Sequence, residues 1–221
     1  DFPATDIETL KNHGIDMEGV QVKANEKSFF WSGKYHNDMN SRDTLVTDLN
    51  VLADFDPIIP ESYQGCEFLL LGNLSPEVQQ TTIKRLTHRP KLIVMDTMNF
   101  WMDIALDSLL ETIKLVDVLT INDSEARQLS GEYSLVKAAR KISEMAPQYV
   151  VIKKGEHGAL LFHKDHVFSA PGLPIADVYD PTGAGDTFAG GFIGYLAKTK
   201  DISFENMKRD YTRLGLSCVL C

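Results

Sequence analysis

Asp180–Pro181–Thr182–Gly183–Ala184–Gly185–Asp186–Thr187–Phe188–Ala189–Gly190–Gly191 reads as a turn that enters a helix. Its glycines let the backbone approach a ligand closely and take conformations that a side chain forbids. The first N–H groups of the helix lack intrahelical partners and carry the positive end of the helix dipole, so they suit an anion. Asp186 falls in that same first turn, which places a carboxylate beside an anion site. Its plainer alternative is a helix-capping Asp. A Walker A loop needs Gly-Lys-Ser/Thr, which occurs nowhere in the chain. The dinucleotide fingerprint needs a third glycine where Phe188 stands, and a strand after the helix, which is missing.

Working outward, the residues upstream alternate between two patterns. Phe68–Leu71, Leu92–Met95, Val116–Ile121 and Tyr149–Ile152 are compact apolar runs. Helical patterns separate them over Pro76–Leu86, Ile104–Leu115, Ser124–Leu129 and Leu135–Met145. This alternation predicts βαβ units and a mostly parallel central sheet. Ala159–Phe162 and Val167–Ser169 read as an edge hairpin, then Gly183–Lys198 and Phe204–Leu214 as helices. Val20–Lys23, Lys27–Trp31 and Thr44–Val46 read as short strands without intervening helices, a small sheet projecting from the main body. Each parallel strand ends in polar or glycine residues: Gly72–Asn73, Asp96, Asn122 and Lys153–Lys154–Gly155. Ligands of open α/β sheets bind beyond the carboxyl ends of the strands, so these residues are placed to line one site.

With 221 residues, 43% hydrophobic and 24% charged, the chain suits one α/β domain with a small appendage. Its net charge of -9 argues against nucleic acid as a partner. There is no apolar run of membrane-spanning length, so no membrane partner is expected. Cys66, Cys218 and Cys221 are an odd, scattered set, which predicts reduced thiols and a cytoplasmic location.

The segment around Asp186 resembles the C-terminal signature of the ribokinase-like (phosphofructokinase B type) carbohydrate kinases. Asn122–Asp123–Ser124–Glu125 resembles that family's N-x-x-E motif, and Val151–Ile152–Lys153–Lys154–Gly155–Glu156–His157–Gly158 its nucleotide-site strand and glycine turn. Asp96–Thr97–Met98–Asn99 is similar to a D-x-N element, with Asn99 a candidate substrate contact. The resemblance implies a three-layer α/β domain with a small β-lid: a core over 51–221 with 1–19 packed on it, and a lid over 20–50. It implies an ATP-dependent kinase of a sugar or related small alcohol, with Asp186 as the base that takes the hydroxyl proton. The N–H groups of Gly183, Ala184 and Gly185 would form the anion hole. Asn122 and Glu125 would organise Mg2+ and its waters; Lys153, Gly155, Gly158 and Thr182 would border ATP. Asp180 and Thr182 match positions that hold a monovalent cation such as K+ in some members. Two plainer readings stay open: Glu125 complementing a helix dipole, and Lys153 facing solvent at a strand end.

Three departures from the family pattern stand out. Lys153 occupies a place where many members carry Thr, and Lys208–Arg213 is unusually polar for a helix that walls adenine. The family's first strand and glycine-rich substrate segment lie upstream of what Asp1–Phe2–Pro3 resembles. From that absence follow the expectations of an unpaired sheet edge, a homodimer, and weak or no activity in the chain as given. Phe29, Phe30, Trp31 and Tyr35 are candidates to stack on a sugar or a base. The alternatives are a nucleoside kinase of the same fold and a non-catalytic nucleotide- or metabolite-binding relic.

Overall fold

The computed structural model describes residues 3–39 and 41–209. The chain divides into two units, 1–65 with 81–88, and 66–80 with 89–221. In the first, helix α1 (Ala4–Asn12) buries none of its residues. Strands β1 (Phe30–Tyr35) and β2 (Arg42–Asp48) form an antiparallel pair with a bulge between Ser32 and Gly33. Trp31 is held in place by the edge of Tyr35 at 6.4 Å, the guanidinium of Arg42 at 5.6 Å, and an Nε1 bond to Thr44 at 3.4 Å. Phe29, Phe30, Leu45 and Val46 are exposed. The strand expected over Val20–Lys23 does not form. The Gln21 amide takes over the pairing a ladder would supply: its Nε2 donates to Asp56 O at 3.0 Å and its Oε1 accepts from Ile58 N at 2.8 Å.

The second unit is built on a six-stranded sheet in the order β3-β4-β5-β6-β7-β8. Strands β3 (Phe68–Leu71), β4 (Leu92–Asp96), β5 (Val118–Asn122) and β6 (Tyr149–Lys153) are parallel, as the apolar runs predict. The hairpin β7 (Ala159–His163) and β8 (His166–Ala170) completes the sheet antiparallel to them. Helix α2 (Pro76–Arg85) joins β3 to β4, α3 (Asn99–Ile104) and α4 (Leu106–Ile113) join β4 to β5, and α5 (Asp123–Ser130) and α6 (Leu135–Ser143) join β5 to β6. The helix expected over 104–115 is α4, and α3 is a further helix ahead of it that the apolar pattern did not announce. Ala105 leaves helical geometry at φ -143° and ψ 36°, which ends α3 and re-aims the chain.

Alternate residues of a strand point to opposite faces of the sheet, and this pattern positions the site. Leu92 and Val94 on β4, Val118 on β5, and Tyr149 and Val151 on β6 share one buried cluster with Phe192 and Leu196 of helix α7 (Ala184–Thr199). Met207, in the helical stretch 204–209, joins the same cluster. Continuing the same rows by two residues reaches Asp96, Thr120 and Lys153, at the carboxyl end of the α7-facing side. Helix α7 runs against the strand direction. Its last carbonyls lie at the strand starts, where Lys91 Nζ donates to Lys200 O at 2.9 Å. Its first turn therefore lies at the strand ends. Helices α5 and α6 cover β5 and β6 on the other face, giving three layers. The rest of the expected helix over 204–214, most of the polar 208–213 stretch, and the Cys218 and Cys221 pair lie outside the described residues. Cys66 is a half-buried free thiol. No helix among the described residues is long and apolar enough to cross a membrane.

Candidate active site

Helix α7 starts at Gly183, whose φ of 81° and ψ of -1° are left-handed. An L-residue with a side chain adopts that conformation at a cost, which accounts for glycine there. No side chain caps the helix. The N–H groups of Gly183 and Gly185 meet no acceptor among the described residues, whereas Ala184 N–H donates to Pro181 O at 3.2 Å. Just before the helix, Asp180 Oδ1 accepts the Thr182 N–H at 2.9 Å, closing an Asx turn that sets the entry angle. The Thr182 side chain, and after it that backbone bond, lower the Asp180 pKa. Asp186 is exposed in the first turn.

Facing this turn is a buried polar group carried by the sheet. Lys153 Nζ lies 3.2 Å from Asp96 Oδ1 and 3.5 Å from Oδ2. Thr120, on the strand between them, points its hydroxyl at Asp96 Oδ1 at 3.3 Å. Burial pushes the Asp96 carboxyl above the usual carboxylate range; the Lys153 charge opposes that, and the negative charge of Asp186 adds to it. A Cβ on Gly185 would stand 3.2 Å from Lys153 Nζ, so the ammonium reaches the first turn of α7. The Asp96–Lys153 pairing is the part of the site that the sequence reading missed. Its signal was present: both residues end buried strands on rows that face one helix.

The other candidates fall around this centre. Asn122 caps α5 by accepting Glu125 N–H at 2.8 Å, while Glu125 Oε2 accepts Asn122 N–H at 2.7 Å. The N-x-x-E spacing is thus also the spacing of a capping box. Glu125 is buried, yet its carboxylate stays at the mouth of β5, one strand away from Lys153. Gly155 opens a short exposed turn after β6. Gly158 closes that turn at φ 80° and ψ -141°, packed against the backbone of Ala170, Pro171 and Gly172. Asn99 donates its amide to Gln128 on α5, and Gln128 in turn bonds Asp103. That chain of bonds turns Asn99 toward α5. Among the described residues no three His, Cys, Asp or Glu side chains gather as metal ligands. A divalent ion here would need oxygens from phosphate and water besides Glu125, which is how Mg2+ is usually held.

An open helix N-terminus, a carboxylate in its first turn and a half-buried lysine thus converge at the strand ends. The model of the pfkB family of carbohydrate kinases matches residues 5–204. The chain belongs to this family. A cytidine kinase of Thermococcus kodakarensis is 30% identical over 223 residues, covering 98% of this chain and 75% of that protein. A 2-dehydro-3-deoxygluconokinase of Thermoproteus tenax is 35% identical over 224 residues, covering 89% of this chain and 65% of the relative. The crystal structure of a ribokinase from Thermotoga maritima superposes with a TM-score of 0.72 at 22% identity, over 96% of this chain and 69% of that one. The kinase accordingly has the ribokinase-like α/β fold and is a phosphotransferase that acts on a hydroxyl of a small molecule. Membership implies ATP together with a metal ion.

Proposed function

We propose that this kinase transfers the γ-phosphate of ATP to a hydroxyl on a sugar ring, free or within a nucleoside, with Asp186 as the base. The observation that carries the reading is the first turn of α7. It opens on a left-handed Gly183, lies at the carboxyl ends of the parallel strands, and holds an exposed Asp186 that makes no capping bond. Phosphoryl transfer has a loose transition state, so the protein contributes mainly position and fixed charge. The N–H groups of Gly183 and Gly185 supply fixed partial charge toward the transferred oxygens, with Ala184 joining them where its bond to Pro181 is shared. Asp186 accepts the hydroxyl proton. Lys153, Gly155, Gly158 and Thr182 border the nucleotide. Asp180 shapes the turn, and with Thr182 it is the candidate holder of K+.

A nucleoside acceptor is favoured as the second reading by the cytidine kinase, whose likeness spans nearly all of this chain. Release of ADP, coupled to an optical assay over a panel of free sugars and nucleosides, tests both. Turnover on free sugars alone would leave the nucleoside reading without support; turnover on none would favour the binding-relic alternative. We place the protein in the cytoplasm as a homodimer, and light scattering across micromolar concentrations checks the latter.

Mg2+ bound at the phosphates would neutralise their charge, with Asn122 and Glu125 orienting its waters. Gln preserves a capping box, so Glu125→Gln should leave the melting temperature in place. It should raise the Mg2+ concentration for half-maximal activity by about 10- to 100-fold, the usual worth of an orienting partner. An unchanged Mg2+ titration would return Glu125 to helix capping alone.

A further inference from the structure

We infer that Asp96 is a positioning residue that holds the Lys153 ammonium aimed at the α7 turn and yields it to the terminal phosphate of the bound nucleotide. The inference deepens, and rests on, the reading of Gly183–Gly185 as the phosphate site. Lys153 has three N–H donors, and among the described residues Asp96 alone accepts from it, at 3.2 and 3.5 Å. Charge-assisted bonds to a carboxylate usually close to about 2.7–2.9 Å. The ammonium is therefore held loosely, and its side chain is only 17% exposed. It also stands at the positive end of α7, beside Gly185, where the dipole opposes a cation. A buried ion pair adds little stability against an apolar pair of similar volume, so folding alone does not account for it. An anion in the turn supplies what is lacking. It accepts the free donors of Lys153, Gly183 and Gly185 together, and its negative charge reverses the unfavourable field. Asp96 occupies Lys153 until that anion arrives. Thr120, whose hydroxyl reaches both Asp96 Oδ1 and Met95 O, keeps the carboxylate in place.

The pairing follows from the sheet. Parallel strands lie about 4.8 Å apart, so β4 and β6 flank β5 at roughly 10 Å, a gap that a lysine stem spans above Thr120. Both residues lie on the row facing α7, and neither is adjacent in sequence to Asp186.

Calorimetric titration of the full-length protein with adenosine, ADP and a non-hydrolysable ATP analogue tests this, with kcat measured alongside. Lys153→Met keeps the stem but not the charge. It should bind the ATP analogue about 10- to 100-fold more weakly, the worth of a charged hydrogen bond, with adenosine unchanged. Asp96→Asn removes the competing anion, so the analogue should bind roughly threefold tighter or more. Its kcat should nonetheless fall by about tenfold, because the ammonium is no longer aimed. A purely structural pair produces no such opposed changes in affinity and turnover. If Lys153→Met folds poorly, the neutral Asp96→Asn/Lys153→Met pair replaces it and should show the same loss for the analogue. Unaltered analogue affinity in the lysine variants, or unaltered affinity and kcat in Asp96→Asn, would overturn the role of the pair and leave the phosphate site standing. A wild-type protein that binds the analogue no better than adenosine would overturn both.

Discussion

Asp186→Asn is expected to lower kcat by roughly two to four orders of magnitude, the usual contribution of a positioned base. The amide matches the carboxylate in shape but cannot take the hydroxyl proton. Nucleotide affinity should hold, because the fixed donors of the turn are backbone N–H groups that the substitution leaves alone. Stability should move by no more than about 1 kcal/mol, the worth of a negative charge in a helix's first turn. A helix-capping role would predict otherwise, but α7 has no side-chain cap. Loss should therefore appear in kcat and not in KM, the pattern of an interaction made only in the transition state. Asp180→Asn is the control for damage to the turn. The Asn carbonyl can still accept the Thr182 N–H that Asp180 now holds at 2.9 Å, so its effect on kcat should be much smaller. An Asp186→Asn enzyme with more than half of wild-type kcat would refute the assignment of the base.

Sequence reading succeeded where the signal is local and failed where it is not. Leu92–Asp96 and Tyr149–Lys153 are apolar runs buried on both faces, and each differs from its expected span by one polar residue at the end. The turn at Gly183 was legible because left-handed geometry and an uncapped helix start demand glycine at fixed positions. Ala105 carries no such mark. It separates α3 from α4 without Gly or Pro, so nothing in its residue type marks the boundary, and α3 was not legible as a helix of its own. Val20–Lys23 has the apolar alternation of a strand, but one side-chain amide, Gln21, ties that segment to Asp56 and Ile58, far along the chain. The Asp96–Lys153 pair was hidden for a similar reason. The two residues are 57 positions apart and on strands that are not neighbours, so only strand order brings them together. Asn122 and Glu125 show the reverse case. Their spacing was legible, but it satisfies a capping box as well as a metal motif, and spacing alone does not separate the two.

Gly158→Ala is expected to damage the fold severely. At φ 80° and ψ -141° the residue occupies a region essentially reserved for glycine. The space beside it is also taken. A Cβ would fall on the carbonyl oxygen of Ala170 and come within 2.6 Å of Gly172 N and Pro171 C. Those are backbone atoms, which cannot swing aside as a side chain can. The residue is further tied by Lys154 N–H, which donates to Gly158 O at 2.7 Å and closes the turn between β6 and β7. Strain and overlap together should cost on the order of 3 kcal/mol or more, readable as a lowered denaturant midpoint at unchanged slope. Gly155→Ala is the comparison. Its φ of 54° is an ordinary left-handed value and the residue is exposed, so it should cost only about 1–2 kcal/mol. The same pair of variants separates packing from nucleotide contact at this turn. If Gly158→Ala keeps its denaturant midpoint but loses ATP affinity, the glycine is there for the ligand. If it loses stability while the folded fraction binds ATP normally, the glycine is there for residues 170–172, whose position sets where the chain begins its approach to the Asp186 turn.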